Sequence, residues 1–284
     1  MEEIINEQVR EILCPERIWQ FSDVIHPVYK KAVRKFPLKE TSQEQERYPT
    51  TRDGMGAYLD KFFARHYFQV QESILTYLSS QDYFESLSNG SVNILDIGSG
   101  PGVASLAIAD LTNYIVKLRE VESSIKFNFV LNDTSALCLG LAKELLHDYF
   151  KRPKDSHNIF LQNNFFLKDH FPKTLSQIQR ISRNLGHFDI VIFSYVIDCL
   201  NQQEVDINKE IVQLKEICSK NGQILIVQDK YNEDLMNQIF PEAEKNSVTN
   251  KVYSEQNKND YYTYEYCQYL MPLSNAVAQR HSLI

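Results

Sequence analysis

The sequence predicts an α/β protein: a seven-stranded, mostly parallel sheet with a C-terminal antiparallel hairpin, preceded by a helical N-terminal cap. Three observations predict it. In the stretch Asn93-Ile94-Leu95-Asp96-Ile97-Gly98-Ser99-Gly100-Pro101-Gly102 an apolar run ends in an acid, glycines follow at alternate positions, and a helix begins at Val103. That is a strand, a tight turn and a helix N-terminus. After residue 90, strand-like and helical runs alternate, the pattern of a parallel sheet with helices on both faces. The last two strand-like runs are joined by a short segment, so they should pair antiparallel.

In chain order, residues 1–90 read as a helical cap or lid without a clear strand, and residues 91–284 as the sheet domain. Glu2 to Leu13 has its apolar residues at helical spacing. Ile18 to Phe36 also reads as helix, with Pro27 as a possible break. Thr41 to Glu46 is a polar link, and a long helix runs from about Tyr58 to Leu78. Strands are expected at Asn93–Asp96, Phe127–Leu131, Asn158–Gln162, Asp189–Phe193 and Gln223–Val227. Between them, helices are expected at Val103–Leu118, Ala136–Phe150, Leu175–Leu185 and Gln203–Lys220, with a further helix around Asn232–Ile239. The final pair of strands is expected at Ser247–Ser254 and Tyr261–Tyr269, across the turn Glu255–Asp260. Alternating tyrosines in the last run suit cross-strand packing on a half-exposed hairpin.

Composition narrows the function classes. The chain has 284 residues, a net charge of −7 and a pI near 5.6, which argues against a nucleic-acid partner. Its two small basic clusters, Lys30, Lys31, Arg34 and Lys35, then Lys151, Arg152 and Lys154, read as solvated faces. The five cysteines are scattered and include no C-x-x-C pair, so neither a disulfide framework nor a metal site is expected. No apolar run approaches the length of a membrane span, and the acidic start is unlike a signal peptide, so a cytoplasmic protein is expected. Oligomeric state is not legible.

The glycine stretch is not the dinucleotide fingerprint G-x-G-x-x-G, because Val103 stands where its last glycine would be. Its pattern, D-x-G-x-G-x-G, resembles the first motif of the class I S-adenosylmethionine (SAM) methyltransferases. Five parallel strands followed by an antiparallel hairpin resemble that family's seven-stranded sheet, whereas a dinucleotide fold would have six parallel strands. The resemblance covers roughly residues 91–272. It implies SAM as cofactor, with S-adenosylhomocysteine as product. It further implies that Gly98, Gly100 and Gly102 let the chain pass under the methionine part, and that Asp96 orients that loop and the cofactor's ammonium. Asp133, at the end of the second strand, would take both ribose hydroxyls; the alternative is an N-cap role that Ser135 could fill instead. Asn164 would stand where the family has an adenine-binding acid, with Phe165 against the ring. The interval from Asp96 to Asp133 exceeds the usual spacing of about 20 residues, which leaves that register open.

Catalysis would be mainly a matter of positioning, because the cofactor's methyl group is already activated. The acceptor should meet it near Ser194 and Tyr195, at the end of the fourth strand. His66, Tyr195 and Asp198 are the candidates for a base; an N-P-P-Y-type motif is absent, which argues against adenine or glutamine-amide acceptors. From the cap, Tyr48, Arg52, Tyr58 and Arg65 could reach the cofactor carboxylate or the substrate, or could simply pack the cap. A small-molecule acceptor methylated at O or N is the reading these features favour. Two alternatives remain open. A looser resemblance to methyltransferase-like proteins of mitochondrial small-ribosomal-subunit assembly rests on Ala57-Tyr58, Ala64-Arg65-His66-Tyr67, the glycine stretch and Ser194-Tyr195-Val196, but that family's metal-binding cysteines are missing. The fold could also bind SAM, or nothing, as a non-catalytic partner protein.

Overall fold

The computed structural model describes residues 2–14, 18–38, 48–121, 124–151, 158–229, 244–253 and 261–272. The link expected at 41–46, the helix expected around 232–239 and the turn expected at 255–260 lie outside the described residues.

The strands are β1 (Ile18–Trp19), β2 (Ser91–Ile97), β3 (Ile125–Asp133), β4 (Ile159–Lys168), β5 (Phe188–Ser194), β6 (Cys218–Asp229), β7 (Glu244–Tyr253) and β8 (Tyr261–Pro272). They form one sheet in the order β1-β7-β8-β6-β5-β2-β3-β4. The five strands β4, β3, β2, β5 and β6 are parallel to their neighbours. β8 runs antiparallel to both β6 and β7. Among the described residues the sheet has eight strands, where seven were expected. The additional one is β1, inside a segment expected to be helical; it pairs parallel with β7 through Ile18↔Lys251 and Trp19↔Val252. Two residues carry no periodicity that a sequence reading could detect. Trp19 is buried and stacks on Phe68 with ring centroids 6.1 Å apart. Trp19→Ala is expected to cost about 3–5 kcal/mol in urea unfolding, the range for truncating a buried aromatic.

The helices are α1 (Glu2–Leu13), α2 (Ile25–Lys35), α3 (Arg52–Tyr58), α4 (Ala64–Leu78), α5 (Gln81–Leu87), α6 (Val103–Leu118), α7 (Ala136–Phe150), α8 (Leu175–Leu185), α9 (Ile197–Gln202) and α10 (Ile207–Lys215). Pro27 does not break α2, because it lies in the first turn, where the missing N–H is no loss. The expected helix Gln203–Lys220 divides differently. Glu204 takes φ 57°, Asp206 caps α10 by accepting from the Lys209 N–H at 3.1 Å, and β6 already begins at Cys218.

The long helix expected from Tyr58 is joined to α3 through a π turn at Leu59–Phe63. In an ideal α-helix, residues eight apart lie about 80° out of line. An i→i+5 turn between them removes most of that offset. Tyr58 and His66 therefore meet on one face, with the tyrosine oxygen 3.0 Å from His66 Nδ1.

α6 is buried on nearly every side, because it lies between the sheet and α4. At its centre Asp110 is fully buried and accepts hydrogen bonds from Tyr67 of α4 (2.6 Å) and Tyr149 of α7 (3.0 Å). Burial raises its pKa, and those two hydroxyls partly offset the rise. The basic face of α2 also meets acids of α7, Lys31 with Asp148 at 2.6 Å and Lys35 with Glu144 at 2.5 Å. Such exposed pairs contribute little stability, but they turn two cations of the first basic cluster toward protein.

Candidate functional site

The winding of the sheet reverses between β2 and β5, and ligands of open α/β sheets bind beyond the carboxyl ends of the strands at such a point. Four chain segments converge there: the glycine loop after β2, Asp133 at the end of β3, Asp169 to Phe171 after β4, and Ser194-Tyr195 at the end of β5. Tyr48 and Pro49, with Tyr58 and His66, cover them from the cap. The crevice holds a cavity of about 270 Å³ between the ends of β3 and β4 and helix α9. A smaller one of about 50 Å³ lies beside it, between the glycine loop and the cap aromatics. Tyr48, Gly98 and Tyr195 border both.

The three motif glycines have different jobs. A Cβ on Gly98 would lie 2.3 Å from Val196 Cγ2, and one on Gly102 would lie 3.0 Å from the Ala142 Cβ, so both permit close packing within the protein. Only Gly100, at φ 53°, would aim its Cβ into open space. The expectation that all three pass beneath a ligand is thus narrowed to Gly100. Under this loop Asp96 is fully buried. Its Oδ2 accepts from the Ser105 hydroxyl at 2.7 Å, while its Oδ1 has no partner. Desolvation pushes its pKa from 3.8 up to about 7, against the lowering by Ser105. A buried carboxylate oxygen without a donor is costly, and a cationic ligand group would satisfy it. The residues therefore suit a cationic ligand end such as the ammonium of SAM, which would reach Asp96 only through the glycine loop, since Asp96 borders neither cavity.

Asp133 does not cap α7, since Ser135 does that by accepting from the Cys138 N–H at 3.2 Å. Instead its Oδ2 accepts from the Gly100 N–H at 2.8 Å, which ties β3 to the glycine loop. Its Oδ1 accepts from the Ser135 N–H at 2.7 Å and from the Tyr48 hydroxyl. Burial raises its pKa, and these donors work against the rise.

Tyr195 follows β5 with φ 59°, an unusual conformation for a bulky residue. Its N–H donates to Val227 O at 2.8 Å, which holds the turn. Its ring stacks on His66 at 4.0 Å and 17°, and its hydroxyl donates to Gln69 Oε1 of α4. Desolvation, then the neighbouring Arg65 cation, push His66 down to about 3. The imidazole is therefore neutral at neutral pH. Ser194 borders the smaller cavity.

Several expected site residues lie elsewhere. Asn164 and Phe165 pair with Phe129 and Val130 in mid-strand, because β4 continues to Lys168. They border neither cavity; Asp169 and Phe171 do. The strand expected to end at Gln162 continues, because Asn163 donates to Asn128 Oδ1 and Asn128 to Asn93 Oδ1, each at 2.8 Å. This asparagine ladder satisfies the amides across three strands and keeps the segment extended. Asn132 then donates to Leu167 O (3.1 Å) and Asp169 O (2.8 Å), and so shapes the turn after β4. Arg52 lies over the Phe36 ring at 4.7 Å and donates to Lys35 O, away from the crevice. Arg65 lies 5.8 Å from the Tyr195 ring centroid. Asp198 accepts from the Cys199 N–H at the start of its own helix and borders neither cavity. Gln69, Asn132 and Asp169 were not legible as site residues, since single amides and acids in a sequence carry no such signal.

Among the described residues, no helix is long and apolar enough to cross a membrane, and no group of three or more His, Cys, Asp or Glu could hold a metal ion. The chain matches no protein-family model. It is 23% identical over 206 residues to a probable polyketide synthase of Dictyostelium discoideum; the match covers 72% of this chain and 8% of that protein. The chain therefore spans under a tenth of the length of that relative. Similar solved structures include a SAM-dependent methyltransferase from Agrobacterium tumefaciens, with TM-score 0.41, 14% identity, and 72% and 62% of the two chains covered. Another is a precorrin-6y C5,15-methyltransferase from Geobacter metallireducens, with TM-score 0.41, 10% identity, and 84% and 94% covered. At these levels the likeness brings neither an activity nor a substrate to this chain. The features that carry the resemblance to the class I SAM methyltransferases are the glycine motif and the five parallel strands followed by an antiparallel pair.

Proposed function

We propose that this protein is a SAM-dependent methyltransferase that transfers a methyl group to oxygen or nitrogen of a small-molecule acceptor. The observation that carries the reading is the partnerless Asp96 Oδ1, fully buried beneath a glycine loop whose Gly100 faces open space. When bound, the cofactor supplies a sulfonium-activated methyl group, so no protein nucleophile is needed. Asp96 would face the ammonium, Gly100 would leave room for the methionine chain, and Asp133 would take the ribose. For the adenine we favour Asp169 and Phe171, which border the larger cavity, over Asn164 and Phe165. Tyr58, His66, Ser194 and Tyr195 would wall the acceptor space and exclude water. None of the first three carries a full charge at neutral pH by its chemistry here, which suits an uncharged acceptor group.

A small-molecule acceptor is supported by the net charge of −7 and by the pairing of Lys31 and Lys35 with acids of α7. It also accords with the likeness to a protein named as a probable polyketide synthase. Calorimetry with SAM and S-adenosylhomocysteine tests the pocket, and absence of heat for both would sink the reading. Transfer of labelled methyl to a metabolite extract, and not to RNA, tests the acceptor; label in RNA would favour the ribosomal alternative. Asp169→Ala should weaken S-adenosylhomocysteine by about 1–3 kcal/mol, the usual loss when a polar partner is removed, whereas Asn164→Ala should leave the affinity unchanged.

A further inference from the structure

We infer that Tyr48 is a latch on the ribose site: its hydroxyl occupies the Asp133 carboxylate and has to leave when the nucleoside binds. This inference rests on the methyltransferase reading above. A carboxylate offers about four acceptor positions. At Asp133, the N–H groups of Gly100 and Ser135 take two, and the backbone of Thr134 also faces the carboxylate. The Tyr48 hydroxyl takes another. A ribose brings two hydroxyl donors to the same group. The backbone donors belong to the glycine loop and to the turn into α7, so they cannot leave without unravelling the crevice. The tyrosine is the donor free to go.

The position of Tyr48 fits that task. It borders both cavities, so its ring stands between the nucleoside space and the acceptor space. It is 39% exposed, while Asp133 beneath it is 3% exposed, so the tyrosine has solvent to move into. Its hydroxyl also lies 3.2 Å from Thr134 Oγ1, a second contact that would hold the closed arrangement. The next residue is anchored: Pro49 O accepts from Cys138 Sγ of α7 at 3.5 Å, and Thr51 caps α3 through the Gly54 N–H at 3.0 Å. The ring can therefore swing without displacing the cap helix. A closed latch keeps a buried carboxylate hydrogen-bonded while no ligand is present, and it makes ligand affinity a competition.

The test is calorimetry with S-adenosylhomocysteine on the wild-type protein and on Tyr48→Phe, which keeps the ring and removes the competing hydroxyl. The variant is expected to bind roughly 10- to 100-fold more tightly, the worth of one hydrogen bond to a charged acceptor. The same gain should appear with adenosine and vanish with 2′,3′-dideoxyadenosine, which lacks the competing hydroxyls. An unchanged or weaker affinity in Tyr48→Phe, with wild-type binding intact and an unchanged melting temperature, overturns the latch and leaves the cofactor reading standing. No heat from either protein overturns the cofactor reading and the latch with it. Because the contact is at the surface of the crevice, loss of folding can be checked in the same samples by thermal melting.

Discussion

Gly100→Val is expected to lose S-adenosylhomocysteine affinity by roughly 100-fold or more, about 2.7 kcal/mol, while the protein still unfolds cooperatively. Nothing lies within 4 Å of a Cβ at this position, so the new side chain starts into the space proposed for the methionine chain. A branched residue at φ 53° also strains the loop; such strain costs about 1–3 kcal/mol, and a small drop in melting temperature should accompany the lost binding. Gly98→Ala makes the opposite comparison. Its Cβ would sit 2.3 Å from Val196 Cγ2, so the chief loss should be in stability. Unchanged affinity in Gly100→Val would show that the loop faces something other than the ligand.

Asp96→Asn should move binding and stability in opposite directions. Removing the carboxylate proposed to face the ammonium is expected to weaken S-adenosylhomocysteine roughly 10- to 100-fold, the range for hydrogen bonds to charged groups. Without ligand, the same change removes a buried charge. The folded-state pKa is raised from 3.8 to about 7. The folded protein therefore holds this proton more tightly than the unfolded chain. Stability owed to the protonated acid is full below pH 4 and is lost as the pH rises toward 7. The variant lacks this group, so relative to wild type it should gain stability over that window, measured by urea unfolding at pH 4.5 and pH 8. A variant that loses stability at pH 8 and binds normally would make Asp96 a structural acid only.

Legibility in the sequence followed how local the determining physics was. The bounds of α6, α7 and α8 were readable because apolar spacing, a capping serine before α7 and a glycine after α8 act within a few residues. The length of β4 was not. Its Asn163 donates to Asn128, which in turn donates to Asn93, each step spanning 35 residues, and this pairing overrides the local preference of asparagine for turns. Asp169 and Phe171 were missed for that reason: the strand ends at Lys168, six residues beyond the end expected at Gln162. Tyr48 and Tyr195 were readable as positions near the site, but their hydroxyl partners, Asp133 and Gln69, lie 85 and 126 residues away.

The alternation of strands and helices from Ser91 to Ser194, the glycine turn and the acid that precedes it are written in the sequence, because each follows from neighbours on one short piece of chain. Which glycine faces open space, which oxygen of Asp96 lacks a donor and which tyrosine lies on Asp133 were decided only by the tertiary structure. Those features depend on what packing brings against each atom from remote segments, and no periodicity or local propensity encodes that.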